Sequence, residues 1–258
     1  MSEKTLRDTV NVRGVHFDNV TMDEAFAKAV ELLSADGFDY FVTPNPEIVQ
    51  ACIEQNALYE VVNGASLTVP DGIGVLYAAK ILGTPLKEKV AGVELAEKLV
   101  AYCAENHVKV FFFGAAPKTA EHEAVWKIAG EKLSEKYPGL DYAGRDGFFD
   151  EAENEDILRE IDDSGAKLLL VCLGAPKQEK WLYKYGRRLK NVTLAGGLGG
   201  SLDVFAGVAE RAPEAYLKHN AEWLYRLKKN PKRIGRMMKL PKFLVGTVLH
   251  GKRDSKDQ

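Results

Sequence analysis

The residues best placed to do chemistry stand where short apolar runs give way to turns. In FVTPNPEIVQA, Thr43 and Asn45 close one such run, with Pro44 and Pro46 restricting the backbone around them. Pro46 suits the first position of a helix, so Asn45 reads equally well as its N-cap and as a ligand contact. The Thr43 hydroxyl is harder to assign to a cap, because the carboxyl end of a central strand opens on the crevice of an α/β sheet. In LTVPDGIGV, Asp71 holds the matching place before Gly72 and another helix. It is either an N-cap or a general base. Burial beside Leu67, Val69 and Ile73 favours its protonated form and helix amides favour the charged one, which leaves both readings open.

Two further turns are glycine-rich. VFFFGAAPKTAEHEAV and LLLVCLGAPKQEKWL both pass from an apolar strand through Gly-Ala and Pro-Lys toward a helix, a weak internal echo best explained as one way of joining strand to helix. The second carries Gly174, with Gln178 and Glu179 in the first turn of its helix, where free backbone N–H groups and the helix dipole favour an anion. GGLGGSLD, Gly196 to Asp203, lets backbone at Gly197 and Gly199 approach a phosphate or sugar. It is not GxGxxG, and no acidic residue follows at the spacing a dinucleotide fold needs.

Other chemistries lack their motifs. The five histidines are scattered, and there is no HExxH, Walker loop, GxSxG elbow or DxD pair. No metal and no cofactor is expected, so positive side chains or helix ends must act on any diphosphate. Cations are supplied by RLKKNPKRIGRMMKLPKFLVGTVL, Arg226 to Leu249, with eight Lys or Arg and no acid. Arg226, Arg233 and Arg236 suit planar contact with phosphate. The lysines with Met237, Met238, Phe243 and Leu244 suit an anionic bilayer, where each cation adds about 1 kcal/mol and half of the eight about 4 kcal/mol. A solvated basic face and nucleic acid are the alternatives; the second has no recognisable motif here and leaves the rest of the chain without a role.

These residues need a scaffold that brings strand ends together. Apolar runs at Tyr40 to Thr43, Leu67 to Val69, Lys109 to Phe113, Leu168 to Leu173 and Val192 to Ala195 alternate with helical periodicity. The helices are expected from Thr21, where Thr21 to Glu24 form a capping box, and over 47–55, 73–82, 93–105, 119–136, 153–163 and 177–185. That order predicts an α/β fold, a Rossmann-like, mainly parallel sheet with helices on both faces, over residues 1–205, and a basic helical appendage over 206–258. Charge divides at the same place. Residues from Ala206 onward carry 13 Lys plus Arg against 5 Asp plus Glu, a net of +8, and the preceding residues 22 against 32, a net of −10. No apolar run approaches the roughly 20 residues of a membrane span, and MSEKTLRD has no signal-peptide core, which predicts a cytoplasmic protein. Cys52, Cys103 and Cys172 lack ligand spacing and read as buried, reduced thiols.

The joint occurrence of TPNPEIV, VPDGIGV, LGAPKQEKW, GGLGGSLDVFAG, RAP and EWLYRL followed by NPKRIGR resembles the WecG/TagA/CpsF family of glycosyltransferases, from about Val12 to Leu249. Some members carry GVGG where this chain has Gly197 to Gly200, a change conservative in size. The resemblance implies inverting transfer of N-acetyl-D-mannosamine from its UDP donor to the 4-hydroxyl of N-acetylglucosamine on undecaprenyl diphosphate, in teichoic acid linkage-unit synthesis. An N-acetylmannosaminuronic acid donor is the alternative. It further implies Asp71 as general base with Thr43 beside it, Asn45 and Gln178 on the sugar nucleotide, and Arg226, Arg233 and Arg236 over a diphosphate. The expected partners are the UDP-sugar, the undecaprenyl-linked acceptor, an anionic membrane surface on the inner face of the cell membrane and a second copy of the chain, with no nucleic acid. A non-catalytic sugar-nucleotide sensor is the rival from outside enzymes, and loss of turnover with retained UDP binding on changing Asp71 separates the two.

Overall fold

The structure is a computed structural model of the chain. It describes residues 8–210, the short pieces 212–213, 215–216, 224–225 and 228, and residues 239–254. The elements follow in chain order as β1 (Thr9–Val12), β2 (Val15–Asp18), α1 (Met22–Ser34), β3 (Asp39–Val42), α2 (Pro46–Glu54), α3 (Ala57–Asn63), β4 (Leu67–Thr68), α4 (Ile73–Leu82), α5 (Gly92–Glu105) and β5 (Val110–Gly114). Then come α6 (Val125–Lys136), β6 (Tyr142–Arg145), α7 (Asn154–Asp163), β7 (Leu168–Cys172), α8 (Lys177–Tyr185), β8 (Leu194–Gly197), α9 (Ser201–Phe205) and α10 (Lys239–Asp254).

Six strands form one parallel sheet in the order β4-β3-β8-β7-β5-β6, as the alternation of strands and helices predicts. Successive strand residues face opposite sides, so Phe111, Phe113, Leu169, Val171 and Ala195 enter one core while Val110, Phe112, Leu168, Leu170 and Leu194 enter the other. Helices α2, α3, α4, α7 and α8 cover the first face, and α1, α5, α6 and α9 the second. A sheet covered on both faces explains why its strands read as unbroken apolar runs. Cys52, Cys103 and Cys172 are buried, and burial pushes each thiol up to about 12.

Five elements were not expected from the sequence: β1, β2, α3, β6 and the short α9. The hairpin of β1 and β2 turns through Arg13 and Gly14, both at positive φ, and buries Val10, Val12, Val15 and Phe17 on one side. Its Asp18 carboxylate accepts the Thr68 N–H at 2.7 Å, meeting the edge strand β4. Strand β6 has only half-buried residues because it closes the other edge, and helix α3 is a two-turn piece between α2 and β4. Helix α6 begins at Val125 rather than Thr119. The Thr119 hydroxyl accepts the Glu121 and His122 N–H groups, which closes a local turn in competition with a helix. The capping box at Thr21 is present, with Glu24 N–H to Thr21 Oγ1 at 3.2 Å and Thr21 N–H to Glu24 Oε2 at 2.8 Å.

Helix α10 packs on α2 and α4. Phe243 is wholly buried in the core shared with α2 and α4, and Thr247 is buried one turn further on. This corrects the expectation that Phe243 faces a bilayer: the 243/247 spacing defines the inner stripe of the helix. Its outward face carries Val245, Val248 and Leu249, while Lys242 reaches back to Glu54 of α2 at 3.1 Å. Among the described residues no helix is long and apolar enough to cross a membrane.

Candidate active site

The carboxyl ends of four neighbouring strands, β4, β3, β8 and β7, carry every candidate residue of the α/β region. Residues distant in sequence are level across the sheet: Val42 pairs with Gly197, which pairs in turn with Val171 on its other side, while Val42 pairs with Thr68. The turns after these strands therefore open on one crevice. The chain leaves β3 toward β4 on one side, while β8 and β7 belong to the other half of the sheet. This is the switch point at which open α/β sheets bind ligands.

Thr43, one residue past β3, is buried and its Oγ1 donates to the Gly197 carbonyl at 3.2 Å. Gly92, the first residue of α5, lies against it; a Cβ there would come within 2.9 Å of Thr43 Cγ2. The hydroxyl thus ties the end of β3 to the end of β8. Asn45 is the N-cap of α2, its Oδ1 accepting the Glu47 and Ile48 N–H groups at 2.9 and 3.1 Å. The capping reading is therefore realised, and it leaves Nδ2 without a hydrogen bond among the described residues.

Asp71 is half-buried at the end of β4, with its N–H on the Pro44 carbonyl at 3.2 Å. The N-cap of α4 is Gly72, at φ 90°, and makes no side-chain cap. Asp71 thus stands one residue outside the capping position, at the crevice. The turns of Asn45 and Asp71 touch, since a Cβ on Gly72 would lie 3.8 Å from Asn45 Cβ. Gly74 is bracketed by Leu240 of α10 and by Pro46, so the start of α10 abuts these same two turns.

On the β7 and β8 side, Gly174 is at φ 79° and its carbonyl accepts the Gln178 N–H at 3.1 Å, which starts α8. Helix α8 is held by Trp181, whose Nε1 donates to Asn154 Oδ1 at 2.7 Å and whose ring meets Phe113 edge-on at 5.0 Å. Gln178 is 2% exposed and turned inward, with its Oε1 accepting the Gly199 N–H at 2.9 Å. The glycines of GGLGGSLD divide their work. A Cβ on Gly196 would meet the Phe41 ring, Gly197 lies against Gln178, and Gly199 is at φ 57° with open space beside it.

Sequence reasoning places Glu179 beside Gln178 in the first helical turn and gives it no role of its own. In the structure it is wholly buried, and burial pushes its carboxyl up. The available signal was helical spacing, because 178 and 179 share a face with the apolar Trp181 and Leu182. Arg226, Arg233 and Arg236 lie outside the described residues. No group of three or more His, Cys, Asp or Glu that could hold a metal ion occurs among the described residues.

A doubly wound parallel sheet whose strand ends gather a carboxylate, a hydroxyl, carboxamides and glycine turns defines an α/β protein of the class that takes its ligands at the carboxyl ends of the strands. The chain matches the profile described as "Glycosyl transferase WecG/TagA/CpsF family" over residues 10–258. It is 34% identical over 246 residues, 95% of this chain and 94% of the relative, to the N-acetylglucosaminyldiphosphoundecaprenol N-acetyl-beta-D-mannosaminyltransferase of Staphylococcus aureus strain MW2. Identity and coverage are the same for the enzyme of that name from strain NCTC 8325 / PS 47. The chain belongs to the WecG/TagA/CpsF family and is a glycosyltransferase.

Proposed function

We propose that the protein transfers N-acetyl-D-mannosamine from UDP-N-acetylmannosamine to the 4-hydroxyl of N-acetylglucosaminyl-diphospho-undecaprenol, with inversion at the anomeric carbon. The observation that carries this reading is Asp71 at the end of β4, outside the capping position and touching the Thr43–Asn45 turn, in a chain whose relatives bear that activity in their names. Asp71 accepts the proton of the attacking 4-hydroxyl. The oxygen forms its bond to the anomeric carbon as the bond to UDP breaks, and UDP leaves with the electron pair. Thr43 holds the crevice floor, and Asn45 offers its free Nδ2 to the donor. Gln178, with Gly174, Gly197 and Gly199, shapes the backbone that receives the sugar nucleotide.

Charge developing on the departing diphosphate is stabilised by Arg226, Arg233 and Arg236 of the appendage, residues 206–258, without a metal. The contact of Leu240 with Gly74 and Pro46 supports this, because Arg236 precedes Leu240 by four residues in the chain. The outward face of α10, with Val245, Val248 and Leu249, rests on the anionic inner face of the cell membrane where the acceptor lipid lies. The protein acts there as a peripheral enzyme of cell wall biogenesis, on the cytoplasmic side.

The test is UDP release by the full-length protein with a soluble lipid-diphosphate N-acetylglucosamine acceptor, across a panel of UDP-sugars and with and without EDTA. The expected result is release with UDP-N-acetylmannosamine, unchanged by EDTA. Release from no donor overturns the reading, and release only with the uronic acid donor moves it to the alternative sugar.

A further inference from the structure

Helix α8 buries two polar side chains in succession. Glu179 has no exposed surface, Gln178 almost none, and Gln178 Nε2 donates to Glu179 Oε1 at 2.8 Å. Among the described residues Glu179 Oε2 has no hydrogen-bond partner and the carboxyl makes no ion pair. The ionisable group that bears on it from α2 is Cys52, itself buried. A buried carboxyl without a cation is penalised unless it is neutral, and burial raises its proton affinity accordingly. An apolar side chain of similar volume fills such a place at lower cost. Packing alone therefore gives no reason for an acid here.

The reason lies in the neighbouring carboxamide. A primary amide has one acceptor end and one donor end, and a backbone N–H can only donate. Gly199 N–H therefore requires Gln178 Oε1, which turns Nε2 away and toward Glu179. Glu179 Oε1 is the acceptor that makes this orientation complete. Reversing the amide sets donor against donor at Gly199. Gly197 leaves the room the pair needs, since a Cβ there would lie 3.2 Å from Gln178 Nε2 and 3.5 Å from Glu179 Oε1.

We infer that Glu179 is a positioning residue for the donor side of the crevice: its buried carboxyl orients the Gln178 carboxamide, which anchors the glycine turn at Gly199. The inference rests on the reading that this turn receives a sugar nucleotide. Glu179 touches no substrate and acts through Gln178 and the turn.

The experiment measures UDP affinity by calorimetry, KM for each substrate and Tm for the full-length protein and three variants. Glu179→Met keeps the volume and removes the acceptor; it is expected to stay folded, with Tm unchanged or raised. The loss of one neutral hydrogen bond should weaken UDP binding and raise the donor KM about three- to ten-fold, with the acceptor KM unchanged. Glu179→Gln presents a carbonyl oxygen in the same place and is expected to restore wild-type affinity. Gly197→Ala presses on the same pair and is expected to weaken UDP binding without the loss of a polar group, which provides the readout should Glu179→Met fail to fold. Wild-type UDP affinity in a folded Glu179→Met, or Glu179→Gln impaired as deeply as Gly197→Ala, overturns the inference. Absence of UDP binding by the unaltered protein instead overturns the reading of the site on which it rests.

Discussion

Asp71 separates catalysis from binding at the level of one side chain. Asn has the same shape and cannot take up the proton, so Asp71→Asn is expected to lower turnover by about 10²- to 10⁴-fold, the usual contribution of a general base, with UDP affinity unchanged in calorimetry. Retained turnover would remove Asp71 from the reaction. Asn45 tests a residue with two roles. Its Oδ1 caps α2, so Asn45→Ala should lower stability by about 1 kcal/mol in urea denaturation, and UDP affinity should fall separately through the lost Nδ2. A variant that loses stability but no affinity reduces Asn45 to a cap. Thr43, Asn45, Asp71 and Gln178 were legible as residue types at strand ends. Glu179 was not, because a Glu in a first helical turn reads as a favourable charge near a dipole until the fold shows that no water reaches it.

Elements whose pattern survives without tertiary contacts were read well from the sequence. Helices α1, α4 and α8 begin as expected, since the capping box of α1 and the 3.6-residue periodicity of all three are local. The hairpin β1–β2 was missed although Val10, Val12, Val15 and Phe17 alternate, because its Arg13–Gly14 turn lacks the Asn or Asp that usually marks the type. A helical appendage was expected, but with Phe243 facing outward, whereas in α10 it is buried. Phe243→Ala is predicted to cost about 3–5 kcal/mol of the attachment of α10 to α2 and α4. Limited proteolysis should then cut within residues 239–254 well before the α/β region. Unchanged protection of that helix would show that Phe243 does not hold it.

For the molecule as a whole, the balance of buried and exposed carboxyls sets the response to pH. Burial raises the Glu179 carboxyl, and that of Asp203 in the same direction. The folded state then holds a proton that the unfolded chain has released, so this contribution is complete below the ordinary glutamate value of 4.5 and is lost as the pH rises through the folded value. Exposed acids act oppositely. The Ala124 N–H and Lys118 hold Glu123 down to about 2, a contribution present at neutral pH and lost as the pH falls from 4.5 toward 2. Glu179→Gln removes the contribution that Glu179 loses as the pH rises. Its urea midpoint should decline less than that of the unaltered protein as the pH rises above 4.5. Equal slopes would mean that Glu179 does not hold its proton in the folded state.

The sequence by itself determined the alternation of strands and helices, the two-faced apolar strands, the opposite charge of the two regions and the polar residues at four strand ends. These follow from near-neighbour spacing and composition. Only the tertiary structure decided that β4, β3, β8 and β7 stand side by side, because strand order depends on which distant apolar faces pack together. That order joins Thr43 to Gly197 and Gln178 to Gly199. It also decided which way each ambiguous side chain went. Asn45 became a cap, Asp71 stayed outside one, Phe243 turned inward and Glu179 lost its water. In each case the choice rests on neighbours that the chain brings into contact only by folding.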